Sequence, residues 1–151
     1  MSDALLTPVE LKKSLLENGF EVYRTIGNRV LLAERVRDNL IMDSNVSALS
    51  GSAFEARVAV RAQQADFHGD TESQLFARAL EVAKPALERG YAEVDRTVVP
   101  IIDPSDPART LDTWYEISLA RPVEDLVELV QELRFLLKLE KVAGELRATT
   151  G

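Results

Sequence analysis

The stretch Phe54-Glu55-Ala56-Arg57-Val58-Ala59-Val60-Arg61-Ala62-Gln63 decides the architecture. Phe54, Ala56, Val58, Val60 and Ala62 alternate strictly with Glu55, Arg57, Ala59, Arg61 and Gln63. A period of two sends the first set to one face of a β-strand and the second set to the other. One face is apolar and one polar, the signature of an antiparallel sheet covered on a single side.

Upstream, Ser50-Gly51-Ser52 breaks the chain, and Leu40–Leu49 reads as a strand with Leu40, Met42, Val46 and Ala48 on one side. Turn chemistry at Asp38-Asn39 and at Gly27-Asn28 brackets a strand over Arg29–Arg37, and Phe20–Ile26 reads as the first strand. Connections this short make all four antiparallel. Before them, Thr7-Pro8-Val9-Glu10 is a helix start: Thr7 caps, Pro8 fits the first helical position and Glu10 closes a capping box. The helix spans residues 8–18, with Leu11, Leu15 and Leu16 on one face and Asn18-Gly19 as its exit.

Downstream, His68-Gly69-Asp70 ends the meander and Thr71-Glu72-Ser73-Gln74 opens a second helix, with Leu75, Ala79, Leu80, Ala83 and Leu87 facing inward until Arg89-Gly90. Pro85 falls inside this helix and is expected to bend it. Tyr91–Ile102 reads as a strand, Asp103–Arg109 as irregular and Thr113–Ala120 as the sixth strand. Arg121-Pro122 ends that strand, and a third helix runs from Val123 to about Ala143, leaving Gly144–Gly151 as a frayed tail. No repeat or linker interrupts the chain, so residues 1–151 are expected to form one domain. The order α-β-β-β-β-α-β-β-α defines an α+β fold: a single antiparallel sheet with helices on one face. Val58, Val60, Tyr115, Ile117, Leu119, Leu126, Val130 and Leu133 are its expected core.

The chain has 151 residues, 46% hydrophobic and 28% charged, a balance that suits an ordinary globular domain. No apolar run approaches the ~20 residues of a membrane span, and the opening MSDALLTPVE is too acidic for a signal peptide, so a cytoplasmic location is expected. A net charge of -7 and a pI near 4.8 disfavour nucleic acid, which rewards clustered Lys and Arg. With no Cys there is no disulfide, thiolate site or thiol nucleophile. The single His68 cannot build a metal site alone, and no Ser is placed to use it as a base. Asp103, Asp106 and Asp112 lack the glycine of a calcium loop, and Glu124-Asp125 suits the first turn of a helix. No catalytic residue, cofactor site or metal site is expected, and the reading is non-enzymatic.

Two surfaces exceed what a bland domain requires. On the third helix Val123, Leu126, Leu129, Val130, Leu133, Leu136 and Leu137 form one stripe, while Phe135, Leu139 and Val142 fall nearly opposite among acids. That second group predicts a subunit or partner contact. The other surface is the open sheet face. If Val30, Leu32 and Val36 point to the helices, Arg29, Arg35 and Arg37 point away, as do Arg57 and Arg61. The same alternation exposes Tyr91, Glu93, Asp95, Trp114 and Glu116. Trp114, near Tyr91 or Glu93, is expected to be covered by a second subunit or a bound polypeptide, with Arg35, Arg37, Arg57 and Arg61 holding its carboxylates.

From Thr71 to Ala143 the chain resembles the type III secretion chaperone-like fold, including the bacterial YbjN-like family. The likeness lies in the capped helix ending at Arg89-Gly90, the strand pair after it, and Trp114-Tyr115-Glu116-Ile117-Ser118-Leu119 running through Arg121-Pro122 into a long acidic amphipathic helix. The resemblance implies a small acidic protein of a bacterial cytoplasm, a homodimer that binds other polypeptides without chemistry. The alternative from another class is a small-molecule sensor or enzyme with a pocket between the second and third helices.

Overall fold

The computed structural model describes residues 6–51 and 53–150, with side chains as far as residue 139. Among the described residues three α-helices and six strands follow in the expected order: α1 (Pro8–Glu17), β1 (Val22–Ile26), β2 (Arg29–Arg37), β3 (Leu40–Leu49), β4 (Phe54–Gln63), α2 (Glu72–Glu88), β5 (Ala92–Asp103), β6 (Asp106–Val123) and α3 (Leu126–Thr150). The strands form one antiparallel sheet in the order β1-β2-β3-β4-β6-β5. The chain divides into two compact units, one of residues up to Val58 with Ala120–Val142, the other of Ala59–Leu119 with the end of the chain.

In the first unit α1 begins with the capping box its sequence encodes. The Glu10 amide donates to Thr7 Oγ1 at 3.2 Å and the Thr7 amide to Glu10 Oε1 at 3.1 Å. It ends in a Schellman motif: Gly19, at φ 89°, donates to Leu16 O and Phe20 to Leu15 O. Leu11 and Leu15 on α1, Val30 and Leu32 on β2, Val46 and Ala48 on β3, Phe54, Ala56 and Val58 on β4, and Leu129, Leu133 and Leu136 on α3 are all buried. The Arg121 guanidinium near the end of β6 holds Glu132 of α3 at 3.0 Å, which explains a carboxylate buried in that helix.

Alternation along β2 and β3 fails halfway. Leu31 lies opposite Ser47, but Ala33 lies opposite Asp43, so β3 carries two extra residues between these pairs. Asn45 takes a left-handed φ of 64° in this bulge, and the Ser44 hydroxyl donates to Leu32 O at 2.9 Å. Beyond it the ribbon meets solvent, and Val36, Leu40 and Met42, expected inward, are exposed.

In the second unit α2 repeats the pattern of α1. Thr71 and Gln74 form the capping box, Gly90 at φ 100° donates to Leu87 O, and Tyr91 donates to Ala86 O. Leu75, Phe76, Ala79, Ala83 and Ala86 are its buried face. Phe76 meets Tyr115 of β6 edge to face at 5.4 Å. Val60, Ala62, Ile117 and Leu119 complete the core set.

Three expected boundaries move. Asp103–Arg109 is not irregular: β5 reaches Asp103, β6 starts at Asp106, and the intervening turn is held by the Ser105 amide and hydroxyl donating to Asp103 Oδ1 at 2.9 and 2.7 Å. Arg121-Pro122 does not end the sixth strand, which continues to Val123, so the helix begins at Leu126. That helix continues to Thr150 rather than ending near Ala143, since one Gly among good helix formers costs only about 1 kcal/mol.

Candidate functional site

β4 and β6 of the second unit assemble a polar cluster on the face opposite the α2 contact. Tyr115 reaches α2, so its neighbours Trp114 and Glu116 turn the other way, where Arg61 of β4 meets both. The Arg61 guanidinium carbon lies 4.3 Å from the Trp114 ring centroid, and its Nη2 lies 3.1 Å from Glu116 Oε1. The indole N–H donates to Asp112 Oδ2 at 3.0 Å, while Asp112 Oδ1 accepts the Ala65 and Thr113 amides at 2.9 and 2.8 Å. A cation over an indole face is worth about 0.5–2 kcal/mol, so Arg61 takes part of the cover expected from a partner.

Tyr91 is not on this face. It is only 4% exposed, because it is the residue after the left-handed Gly90, where the helix exit folds an apolar side chain back onto the last turn. Of the other arginines expected to seize a partner's carboxylates, Arg35 pairs with Glu21 at 2.8 Å and donates to Asp38 O at 2.7 Å. Arg57 pairs with Glu55 at 2.7 Å. Arg37 is exposed at the end of β2, with no ion-pair partner among the described residues. The carboxylates that suggested a partner for these arginines are therefore partly supplied by the chain itself.

Phe135 and Leu139 are half-buried on α3, and the side chain of Val142 lies outside the described residues. Beside α3 is a cleft of about 250 Å³ lined by Asn18, Leu126, Val127, Val130, Gln131 and Arg134. Arg134 donates to Asn18 O at 3.1 Å, placing a cation at the C-terminus of α1, and its guanidinium lies 5.6 Å from the Phe20 ring centroid. The cleft joins α3 to the end of α1.

Asp103 and Asp106 serve the turn between β5 and β6. Asp103 holds Ser105 as described, and these bonds, the side-chain one first, lower its pKa below the ordinary carboxylate value. Asp106 accepts the Ala108 amide at 3.1 Å, and His68 is exposed beside Gly69. No group of three or more His, Cys, Asp or Glu side chains converges among the described residues.

The strand over Tyr91–Ile102 was expected; what sequence reading missed is its place at the edge of the sheet. Among the described residues β5 ends the sheet, with β6 as its one neighbour. All seven residues from Ala92 to Val98 are exposed, and Val94, Val98 and Ile102 are 48, 44 and 42% exposed. Leu111 on β6 adds another apolar side chain at 50%. The signal was present in Val98-Val99-Pro100-Ile101-Ile102: a proline inside an apolar strand marks a sheet edge. No family model, curated protein or solved structure matches the chain.

Proposed function

We propose that the chain is a non-enzymatic, chaperone-like protein-binding module of a bacterial cytoplasm that acts as a homodimer. The observation that carries this reading is the open edge of β5, where unpaired backbone groups and exposed aliphatic side chains coincide. An edge of this kind binds extended polypeptide by adding a strand, with the backbone supplying affinity and alternate side chains supplying choice. The homodimer reading draws support from Phe135 and Leu139, apolar side chains of α3 that are still partly open. Trp114 and Arg61, of types that dominate interface energies, add a second candidate contact.

The test is gel filtration with a permanently unfolded basic client such as reduced, carbamidomethylated lysozyme, whose neutral caps add no negative charge. Co-migration is expected; independent elution at tens of micromolar overturns the binding reading. For the dimer, sedimentation at micromolar concentration should give twice the chain mass, and a single species at 16.8 kDa refutes it. Trp114→Ala should fold while losing dimerisation or client capture.

The cleft at Asn18, Val130 and Arg134 favours a second reading, a small-molecule binder, since it combines an apolar floor with amide and guanidinium groups. Saturable binding of a small anion that shifts the Arg134 side-chain resonances would select it.

A further inference from the structure

The two edges of the sheet are not alike. β1 is five residues long and its pairing with β2 is broken by a bulge, so it offers little ladder to a newcomer. β5 is twelve residues long and open from Ala92 to Val98. Pro100 sets its phase. A proline within a strand that has one neighbour sits where its missing N–H faces away from that neighbour. Val94, Arg96 and Val98, in step with Pro100, therefore turn their N–H and C=O groups to the open edge.

A second copy of this chain that sets its own β5 antiparallel to this edge does so about a two-fold axis through one residue of β5, which pairs positions equally distant from the centre. Centred on Glu93, Asp95 or Arg96, the axis sets that charge against its own copy. Centred on Val94, it sets Glu93 opposite Asp95 in both directions. Centred on Thr97 or Val98, it brings Pro100 into the bonding row with no N–H to donate. Like charges directly opposite are destabilising, and a proline leaves a bond of the row unmade, so each of these registers carries a penalty.

A different strand escapes all of these. Glu93 already shares Arg96, whose guanidinium also lies 5.1 Å from the Phe76 ring centroid. Asp95 holds only the Thr97 hydroxyl, at 3.3 Å, and has no ion-pair partner among the described residues. Val94 and Val98 bracket Arg96 on the other face of the strand. A net charge of -7 adds long-range attraction for a cationic segment.

We propose that β5, from Ala92 to Val98, accepts one extended strand of another polypeptide, apolar opposite Val94 and Val98 and cationic opposite Asp95, and rejects a second copy of itself. This rests on the polypeptide-binding reading and adds the occupant's chemistry; the proposed homodimer then uses another surface.

The probes are a capped seven-residue peptide alternating Val and Lys, its Val and Glu counterpart, and a Val and Lys peptide N-methylated at alternate amides. Fluorescence anisotropy gives affinity, and hydrogen exchange locates the contact. The Lys peptide is expected to bind at least tenfold tighter than the Glu peptide and to protect the Val94, Arg96 and Val98 amides, while N-methylation abolishes binding. Val94→Pro, which leaves the ladder with β6 intact as Pro100 does, should also abolish it. Asp95→Lys should reverse the preference. Equal binding of the two charge types, or protection away from β5, overturns the inference and leaves polypeptide binding standing. Failure of every peptide and of the unfolded client overturns both. A dimer that Val94→Pro dissociates makes the second copy the occupant and overturns the inference.

Discussion

α1 with β1 and β2, and α2 with β5 and β6, are two versions of one local design. Each helix opens with a Thr capping box and closes with a left-handed Gly followed by a buried aromatic, Phe20 in one and Tyr91 in the other. Each is followed by a hairpin. The helices differ in what they bury: α1 presents Leu11 and Leu15, whereas α2 presents Ala79, Ala83 and Ala86 beside Leu75 and Phe76. The hairpins differ in reach, five and nine residues against twelve and eighteen. Similar caps thus fix where a helix begins and ends, the smaller buried side chains of α2 are expected to let its neighbours approach more closely, and the strand edge decides what remains available to a partner.

The largest effects should separate the two helices by opposite faults. Leu15→Ala leaves a void in α1 and should lower stability by about 2–5 kcal/mol, as for other fully buried leucines. In α2 the sensitive change is enlargement. Ala83 is fully buried, and Ala83→Leu should cost about 1–3 kcal/mol through overpacking. Urea denaturation of both variants measures this. If Ala83→Leu is neutral, α2 does not lie close against its neighbours and the contrast fails.

The exits should respond alike. Gly19 and Gly90 hold φ values of 89° and 100°, a region that a side chain enters at about 1–2 kcal/mol. Nothing lies within 4 Å of a Cβ added at Gly19, so Gly19→Ala isolates that backbone penalty. Gly90→Ala should lose a similar amount by thermal melting, and a much larger loss there would separate the two exits.

These shared devices are the part of the fold that was legible. Thr-x-x-Glu, Thr-x-x-Gln and Gly at the exits are short-range signals whose geometry needs no distant contact, and the helix starts at Pro8 and Glu72 follow from them. The alternation of β4 was equally plain, and it survives in the fold because its pairing with β3 runs without a register shift from Val46 opposite Val58 to Leu49 opposite Glu55. Signals that depend on a partner strand were not legible. The two extra residues of β3 at Ser44 and Asn45 exist only relative to β2, so Val36 and Met42 were misplaced. Asp103-Pro104-Ser105-Asp106-Pro107 reads as coil by composition, yet one carboxylate receiving two bonds from Ser105 makes it a tight turn. On the candidate site, alternation set Trp114 opposite Tyr115 but could not show that Arg61 stacks on it, because that contact depends on which strand lies beside β6. Tyr91 was misplaced because it belongs to the exit of α2, where strand alternation has not begun.

The starts of the two helices should differ least in magnitude. Thr7→Ala and Thr71→Ala each remove a side-chain acceptor for the third amide of the helix and should each lose about 1 kcal/mol in chemical denaturation. A difference above about 1 kcal/mol between them would mean that one start is held by tertiary packing.

The smallest effect, a dependence on acid, divides these starts by kind. The box of α1 is closed by Glu10 and that of α2 by Gln74, which does not titrate. The Thr7 backbone N–H, then its side chain, stabilises the Glu10 carboxylate and lowers its pKa from the ordinary 4.5. A group whose pKa is lower in the folded state binds its proton less readily there than in the unfolded chain. Its contribution is therefore present above the ordinary value and fades as pH falls through the lowered one. Below that point the protonated Glu10 is a poorer acceptor for the Thr7 amide, and the first turn of α1 should fray while that of α2 stays closed. Amide exchange of Thr7 against Thr71, followed from pH 6 downward, reads this directly, with acceleration relative to the intrinsic rate expected at Thr7 alone. Glu10→Gln should erase the difference, because it gives α1 the closure that α2 already has. Equal acceleration at both threonines would show that acid acts on the whole fold and that the two boxes respond to it alike.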